Sequence, residues 1–109
     1  MSDLLQAGIN FFNDGRYFEA HEAWEDLWRQ TRGPLRFFYQ GLIQAAVGCH
    51  HLTRGNVRGG RAQLTKSLAK LERYPEQFCR IENGRLVAEL RRVMEGASPE
   101  QVRIEHQAT

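Results

Sequence analysis

The sequence is poor in cysteine and proline, and it has no long apolar run. The only cysteines are Cys49 and Cys79, with no Cys-x-x-Cys pair. That excludes a disulfide scaffold and argues against a thiolate metal centre or redox pair. Cys49 sits in an apolar helical stretch, where a thiol serves as a small core residue. Three prolines leave no room for a proline-rich linker. No apolar run approaches the ~20 residues of a membrane span. The N-terminus, Met1-Ser2-Asp3-Leu4-Leu5, lacks the basic segment and apolar core of a signal peptide. A cytoplasmic protein with no membrane partner is the expectation.

Charge of one sign is also scarce. Fifteen basic and thirteen acidic residues give a net charge of +2, too weak and too mixed to attract a polyanion. Arg54, Arg58 and Arg61 recur at helical spacing, but no interleaved aromatic platform accompanies them. They read as a solvated face, and no nucleic acid is expected. The sequence contains no G-x-S-x-G, no P-loop and no G-x-G-x-x-G.

What is present is helical periodicity, without convincing period-2 alternation. The spacing predicts a first helix over about Ser2–Asn13, capped by Ser2 or Asp3, and a break at Asn13-Asp14-Gly15. A second runs over about Arg16 to Arg29 or Gln30. Gly33-Pro34 precedes a third, about Leu35–Thr53. That helix is apolar on two sides, so it belongs at the centre of its bundle. Its small residues Gly41, Ala45, Ala46 and Gly48 admit close neighbours, and Gly59-Gly60 in the next helix suits the same purpose. A fourth helix follows over about Val57–Arg73. Then come a loop or single turn at 75–83, a fifth helix over about Arg85–Glu95, and a short polar tail expected to fray. The fold class is therefore all-α: a compact single domain over 1–109, about five helices, with the central ones packed antiparallel.

The second helix carries the oddity. At ~100° per residue, Tyr17, Phe18, His21, Trp24, Glu25 and Trp28 fall on one side. A face so aromatic should be buried, and burying His21 and Glu25 there is costly unless they find partners. His21-Glu22-Ala23-Trp24-Glu25 has the outline H-E-x-x-E. In H-E-x-x-H two ligands stack on one helix face and the intervening glutamate acts as base. Here Glu25 would replace the second histidine as a ligand for zinc or manganese, with Glu22 or Glu19 as base. The alternative is a structural His21–Glu25 hydrogen-bonded pair that does no chemistry.

The third helix offers partners for either reading. Arg36, Gln40, Ile43, Val47, His50 and Arg54 form one stripe, with Gln44 and His51 on its flank. If the two faces meet, His21, Glu25, Gln40, Gln44 and His50 or His51 converge in a polar pocket. Its walls would be Tyr17, Trp24, Trp28 and Phe37, with Arg36 at one end, a composition suited to a small-molecule substrate. Spacing alone does not choose between His50 and His51.

These residues resemble a family of small all-α proteins numbered 309 among the domains of unknown function. Phe12-Asn13-x-Gly15-x-Tyr17-Phe18-Glu19-Ala20-His21-Glu22-x-x-Glu25-x-x-Trp28 is similar to its first motif. Gln40-Gly41-x-Ile43-Gln44-x-Ala46, then His50, then Gly55-Asn56-x-x-Gly59, is similar to its second. The similarity covers roughly residues 8–72. The resemblance implies a compact helical bundle and the label of a metal-dependent hydrolase. Carried over residue by residue, it implies a site of His21, Glu22, Glu25, Gln40 and His50, and it favours His50 over His51. Trp24 stands where the family more often has leucine, a change that would narrow the pocket, and Gly60 where it often has alanine.

Two functions remain open. In the first, His21, Glu25 and His50 hold a divalent ion, zinc or manganese, which lowers the pKa of a bound water for hydrolysis. Gln40 or Gln44 would then orient water or substrate. In the second, the same residues form a structural hydrogen-bond network in a non-catalytic protein-interaction module, whose exposed apolar residues should lie outside the His21 pocket. The aromatic content also suits a homodimer that covers a remaining apolar face.

Overall fold

A computed structural model describes residues 3–106. Five helices account for most of the chain: α1 (Asp3–Asn13), α2 (Tyr17–Gln30), α3 (Pro34–Thr53), α4 (Val57–Leu71) and α5 (Asn83–Met94). The predicted bounds hold to within about two residues. Ser2, one of the two expected caps of α1, lies outside the described residues. Pro34 opens α3, where its missing N–H has no helical partner to lose. Asn56 caps α4 by accepting a hydrogen bond from the Gly59 N–H at 3.0 Å.

α3 is the central element. It packs along α4 on one side and α2 on another. Phe18 near the start of α2 lies beside His50 near the end of α3, while Trp28 near the end of α2 lies beside Arg36 near the start of α3. The two helices are therefore antiparallel. Phe38, Leu42, Ala45, Ala46 and Cys49 of α3 are buried in the core. Both cysteines are free thiols.

The α3–α4 seam depends on glycine. A Cβ at Gly48 would stand 2.7 Å from Leu64 and 3.1 Å from the Gly60 carbonyl oxygen; one at Gly60 would stand 3.0 Å from the Gly48 carbonyl oxygen. The helices thus meet backbone to backbone at this crossing. Two turns away, the buried Ser67 hydroxyl donates to the Gly41 carbonyl at 2.7 Å, so the seam is both close and hydrogen-bonded.

Trp24 organises the other side of the molecule. It is fully buried against Phe12, and its indole N–H donates to the Leu5 carbonyl of α1 at 3.2 Å. The indole lies directly on Gly8, leaving no space for a Cβ there. Leu5, Gly8, Phe12 and Trp24 thereby lock α1 onto α2.

Two expectations need correction. The segment after α4, expected to be a loop or single turn, forms a two-stranded antiparallel hairpin, β1 (Gln77–Phe78) and β2 (Ile81–Glu82). Its turn residues Cys79 and Arg80 have φ of 52° and 62°. Positive φ at both central positions is the requirement of a type I′ hairpin. Cys-Arg lacks the Asn-Gly signature of that turn, and two-residue strands are too short to alternate. The tail, expected to fray, is packed against the bundle over its described part. It forms a 3₁₀ turn at Pro99–Gln101, then buries Val102 and Ile104. Asn13 holds Ile104 in both directions, accepting from its N–H at 2.7 Å and donating to its carbonyl at 2.9 Å. These contacts join the two ends of the fold.

Candidate docking cleft between α2 and α3

The aromatic face of α2 divides into two stripes. Tyr17, Ala20, Trp24 and Leu27 enter the core, whereas Phe18, His21, Glu25 and Trp28 lie along its edge, half-buried or exposed. The division arises because the helix sits in the notch between α1 and α3, which covers only part of its circumference.

At the open end, Tyr17, Phe18 and His21 of α2 face Val47, His50 and His51 of α3 across a shallow cleft of about 230 Å³. Phe18 forms its lip. The ring is 52% exposed, and the His21 and His50 rings each stand 5.9 Å from it, centroid to centroid. The His51 ring lies 6.1 Å from that of His50. Larger grooves of about 540 and 560 Å³ flank the α4–α5 side, but their shared residues Glu72 and Arg91 pair with each other at 3.3 Å.

Burial, hydrogen bonds and neighbouring charges shift four groups in or beside the cleft. Burial, followed by Arg54, His51 and His21, holds the His50 imidazole below its ordinary value, with Glu19 opposing. Burial raises the Tyr17 phenol and pushes the Cys49 thiol up to about 12, so neither offers a ready nucleophile at neutral pH. Hydrogen bonding to its own backbone and to Arg16 holds Glu19 below the usual glutamate range.

The residues expected to form one polar pocket are dispersed. His21 Nε2 pairs with Glu25 at 3.2 Å, and the other Glu25 oxygen takes Arg29 at 3.3 Å, with Arg29 also on Asp26 at 2.7 Å. Glu22 is exposed on a different face. Gln44 accepts from Lys70 of α4 at 2.9 Å, and Gln40 is half-buried. Arg36 stacks 3.7 Å above Trp28 at the far end of the α2–α3 seam. Trp24 does not narrow any pocket, because it is a core residue against Gly8. Phe37 lies against α4 rather than in the cleft. His21, His50, His51 and Tyr17 do meet, with Glu19 near His50.

The metal centre drawn from the sequence would draw on His21, Glu25 and His50. His21 and Glu25 engage each other, and the Phe18 ring contacts both His21 and His50. Among the described residues, no three His, Cys, Asp or Glu side chains form a group that could hold a metal ion. The cleft residues missed from the sequence were Phe18 and Val47. Both had a signal: Phe18 shares the His21 face, and Val47 stands three residues before His50 on the polar stripe. Phe18 also departs from the expectation that exposed apolar residues avoid the His21 pocket, whereas Leu35, Phe37 and Val57 follow it.

These features define a small all-α bundle with an aromatic and imidazole-lined cleft at one end of two antiparallel helices. The chain belongs to DUF309, described as a domain of unknown function, whose family model matches residues 5–63. The match runs from α1 into α4 and contains every residue of the cleft. The chain is also similar to an uncharacterized protein of Aquifex aeolicus, 29% identical over 94 residues, covering 85% of this chain and 28% of the relative. It is similar to the uncharacterized protein YpuF of Bacillus subtilis, 29% identical over 90 residues, covering 80% of this chain and 52% of the relative. The chain thus spans about a quarter to a half of the length of these relatives. No described helix is long and apolar enough to cross a membrane.

Proposed function

We propose that the protein is a non-catalytic helical interaction module, and that its α2–α3 cleft receives an apolar side chain of a protein partner. The observation that carries this reading is Phe18, an aromatic ring 52% exposed at the lip of a cleft that includes Val47 and the Tyr17 ring. Exposed aromatic rings beside a preformed depression are the usual anchors of protein interfaces. The cleft's volume of about 230 Å³ lies below the roughly 300–1,000 Å³ of small-molecule sites, and suits one inserted side chain. The His21–Glu25–Arg29 pairs on the adjoining surface act within their own helix. They support a structural role for the motif. The greater length of both relatives is also consistent with a module that works beside other polypeptide segments.

Site-specific photocrosslinking in cells tests this reading. A photoreactive phenylalanine analogue at position 18 is expected to give one discrete protein adduct. Val47→Trp, which fills the cleft, is expected to abolish it, and the same analogue at the exposed position 57 is expected not to form it. No protein adduct at position 18, or one indifferent to Val47→Trp, would overturn the reading.

A further inference from the structure

The joint between α4 and α5 is tied by one side chain. Asn83, the first residue of α5, is 1% exposed. Its Nδ2 donates to the Leu71 carbonyl at the end of α4 at 2.9 Å, and to the Pro75 and Tyr74 carbonyls at 3.2 and 3.4 Å. The last carbonyls of a helix need partners from outside it, and this amide supplies one from the start of α5. Gly84 brings the two segments close. Its N–H donates to the Glu76 carbonyl at 2.9 Å, and a Cβ there would stand 3.1 Å from Glu76 Cγ and 3.4 Å from Glu76 Cα. Packing thus calls for an amide at position 83 and a glycine at position 84.

Together the two residues make an Asn-Gly step, in which a labile amide is followed by a backbone nitrogen that no side chain shields. Such a step is prone to deamidation. The Gly84 nitrogen gives up its proton and attacks Asn83 Cγ, the Cγ–Nδ2 bond breaks, and ammonia leaves a cyclic succinimide. Water then opens the ring to aspartate, or to isoaspartate with the main chain routed through the side chain. The closed joint opposes each part of this. The Gly84 N–H is engaged by Glu76, and Nδ2 is held by three carbonyls. Oδ1 is buried, and no donor among the described residues polarises its carbonyl for attack. Ring closure would also need a backbone rotation that unwinds the first turn of α5. The other asparagines, Asn10, Asn13 and Asn56, precede Phe11, Asp14 and Val57, whose side chains crowd the nitrogen.

We propose that Asn83-Gly84 is a self-modification site gated by the α4–α5 joint: it stays intact while the joint is closed, deamidates when the joint opens, and then prevents reclosure. A carboxylate at position 83 has no N–H to offer. It sets a negative charge against the carbonyl oxygens of Leu71, Tyr74 and Pro75. The isoaspartyl form adds a methylene to the main chain where Gly84 must reach Glu76. Local opening is ordinary in a folded domain; here each opening risks a permanent chemical mark. The site shares no residue with the Phe18 cleft, so it does not rest on the cleft's role.

Peptide mapping by mass spectrometry tests this on the unaltered sequence. The chain is incubated in mildly alkaline buffer, folded in one sample and in urea in another, and conversion at each asparagine is followed. In urea, position 83 is expected to convert ahead of positions 10, 13 and 56, and Gly84→Ala to slow it. In the folded chain, conversion at position 83 should be slower by roughly tenfold or more. Leu86→Ala, which removes a buried contact from the start of α5, should speed it. The converted chain, separated by ion exchange and returned to native buffer, should melt well below the unconverted chain or fail to recover its helical circular dichroism. Conversion at position 83 as fast in the folded chain as in urea overturns the proposal, as does its absence in urea. A folded-state rate indifferent to Leu86→Ala, or a converted chain that melts like the parent, also overturns it.

Discussion

α3 makes two long seams, and they are built differently. Toward α4 the backbones touch at Gly48 and Gly60, and a buried hydroxyl crosses the interface at Ser67. Toward α2 the middle of the seam is filled by core residues, but its ends are not. One end is closed by Arg36 stacked on Trp28, and the other opens into the Phe18 cleft. Packing of the first kind leaves little latitude for substitution. The second leaves side chains whose contacts are incomplete within the chain, which is where a partner can contribute binding energy at little cost to the fold. On the proposed reading, stability and recognition reside on different sides of one helix.

The largest break in that comparison is expected at the glycine crossing. Gly48→Val forces a branched side chain against Leu64 and the Gly60 carbonyl, and should cost about 3 kcal/mol in urea unfolding. Gly8→Ala should cost about 2 kcal/mol, because the Trp24 indole cannot yield in a filled core. The same change in a Trp24→Leu background should cost markedly less, since leucine vacates the space over residue 8. Equal costs in both backgrounds would mean that the indole is not the obstacle. Ser67→Ala should lose about 1 kcal/mol with its single buried hydrogen bond. At the cleft, Phe18→Ser should stay within about 0.5 kcal/mol of the parent, while removing the position-18 contact with a partner.

The smallest effect is in pH. The folded state holds His50 below its ordinary value of 6.5, so above about pH 6.5 the imidazole is neutral in both folded and unfolded chains. As pH falls from there, the unfolded chain takes up a proton first, and stability declines toward the lowered folded value. Burial sets this first, followed by Arg54 and His51 on α3 itself and His21 from α2, with Glu19 of α2 opposing. Melting curves from pH 8 to pH 5 should therefore slope less steeply for His50→Gln than for the parent. Parallel curves would remove His50 from the account.

Much of the fold could be read from the chain. The helices follow apolar periodicity and glycine or proline breaks, and the small residues of α3 announce a close neighbour. The hairpin was hidden because its positive-φ turn is made by Cys79 and Arg80, which do not advertise that conformation. The docking of the tail was hidden because it depends on Asn13, ninety-one residues away from Ile104. The site was legible as a meeting of His21 with His50 or His51, since helical spacing fixes which side of each helix they occupy. Spacing does not say how much of an aromatic face a neighbour will cover. Trp24 and Phe18 lie on the same broad side of α2, yet one is the centre of the core and the other its exposed edge. Gln40, Gln44 and Glu25 shared a face with the histidines, but Gln44 found its partner in Lys70 of α4, and Glu25 divides between His21 and Arg29 on its own helix.

The direct measurement is the response of the histidine side-chain resonances to one equivalent of zinc, with manganese as a paramagnetic counterpart. A motif whose His21–Glu25 pair is structural should leave the His21 and His50 signals unmoved by zinc and without selective broadening by manganese. A saturable one-to-one response of both rings, abolished by Glu25→Gln, would contradict the account and restore the motif as a metal centre.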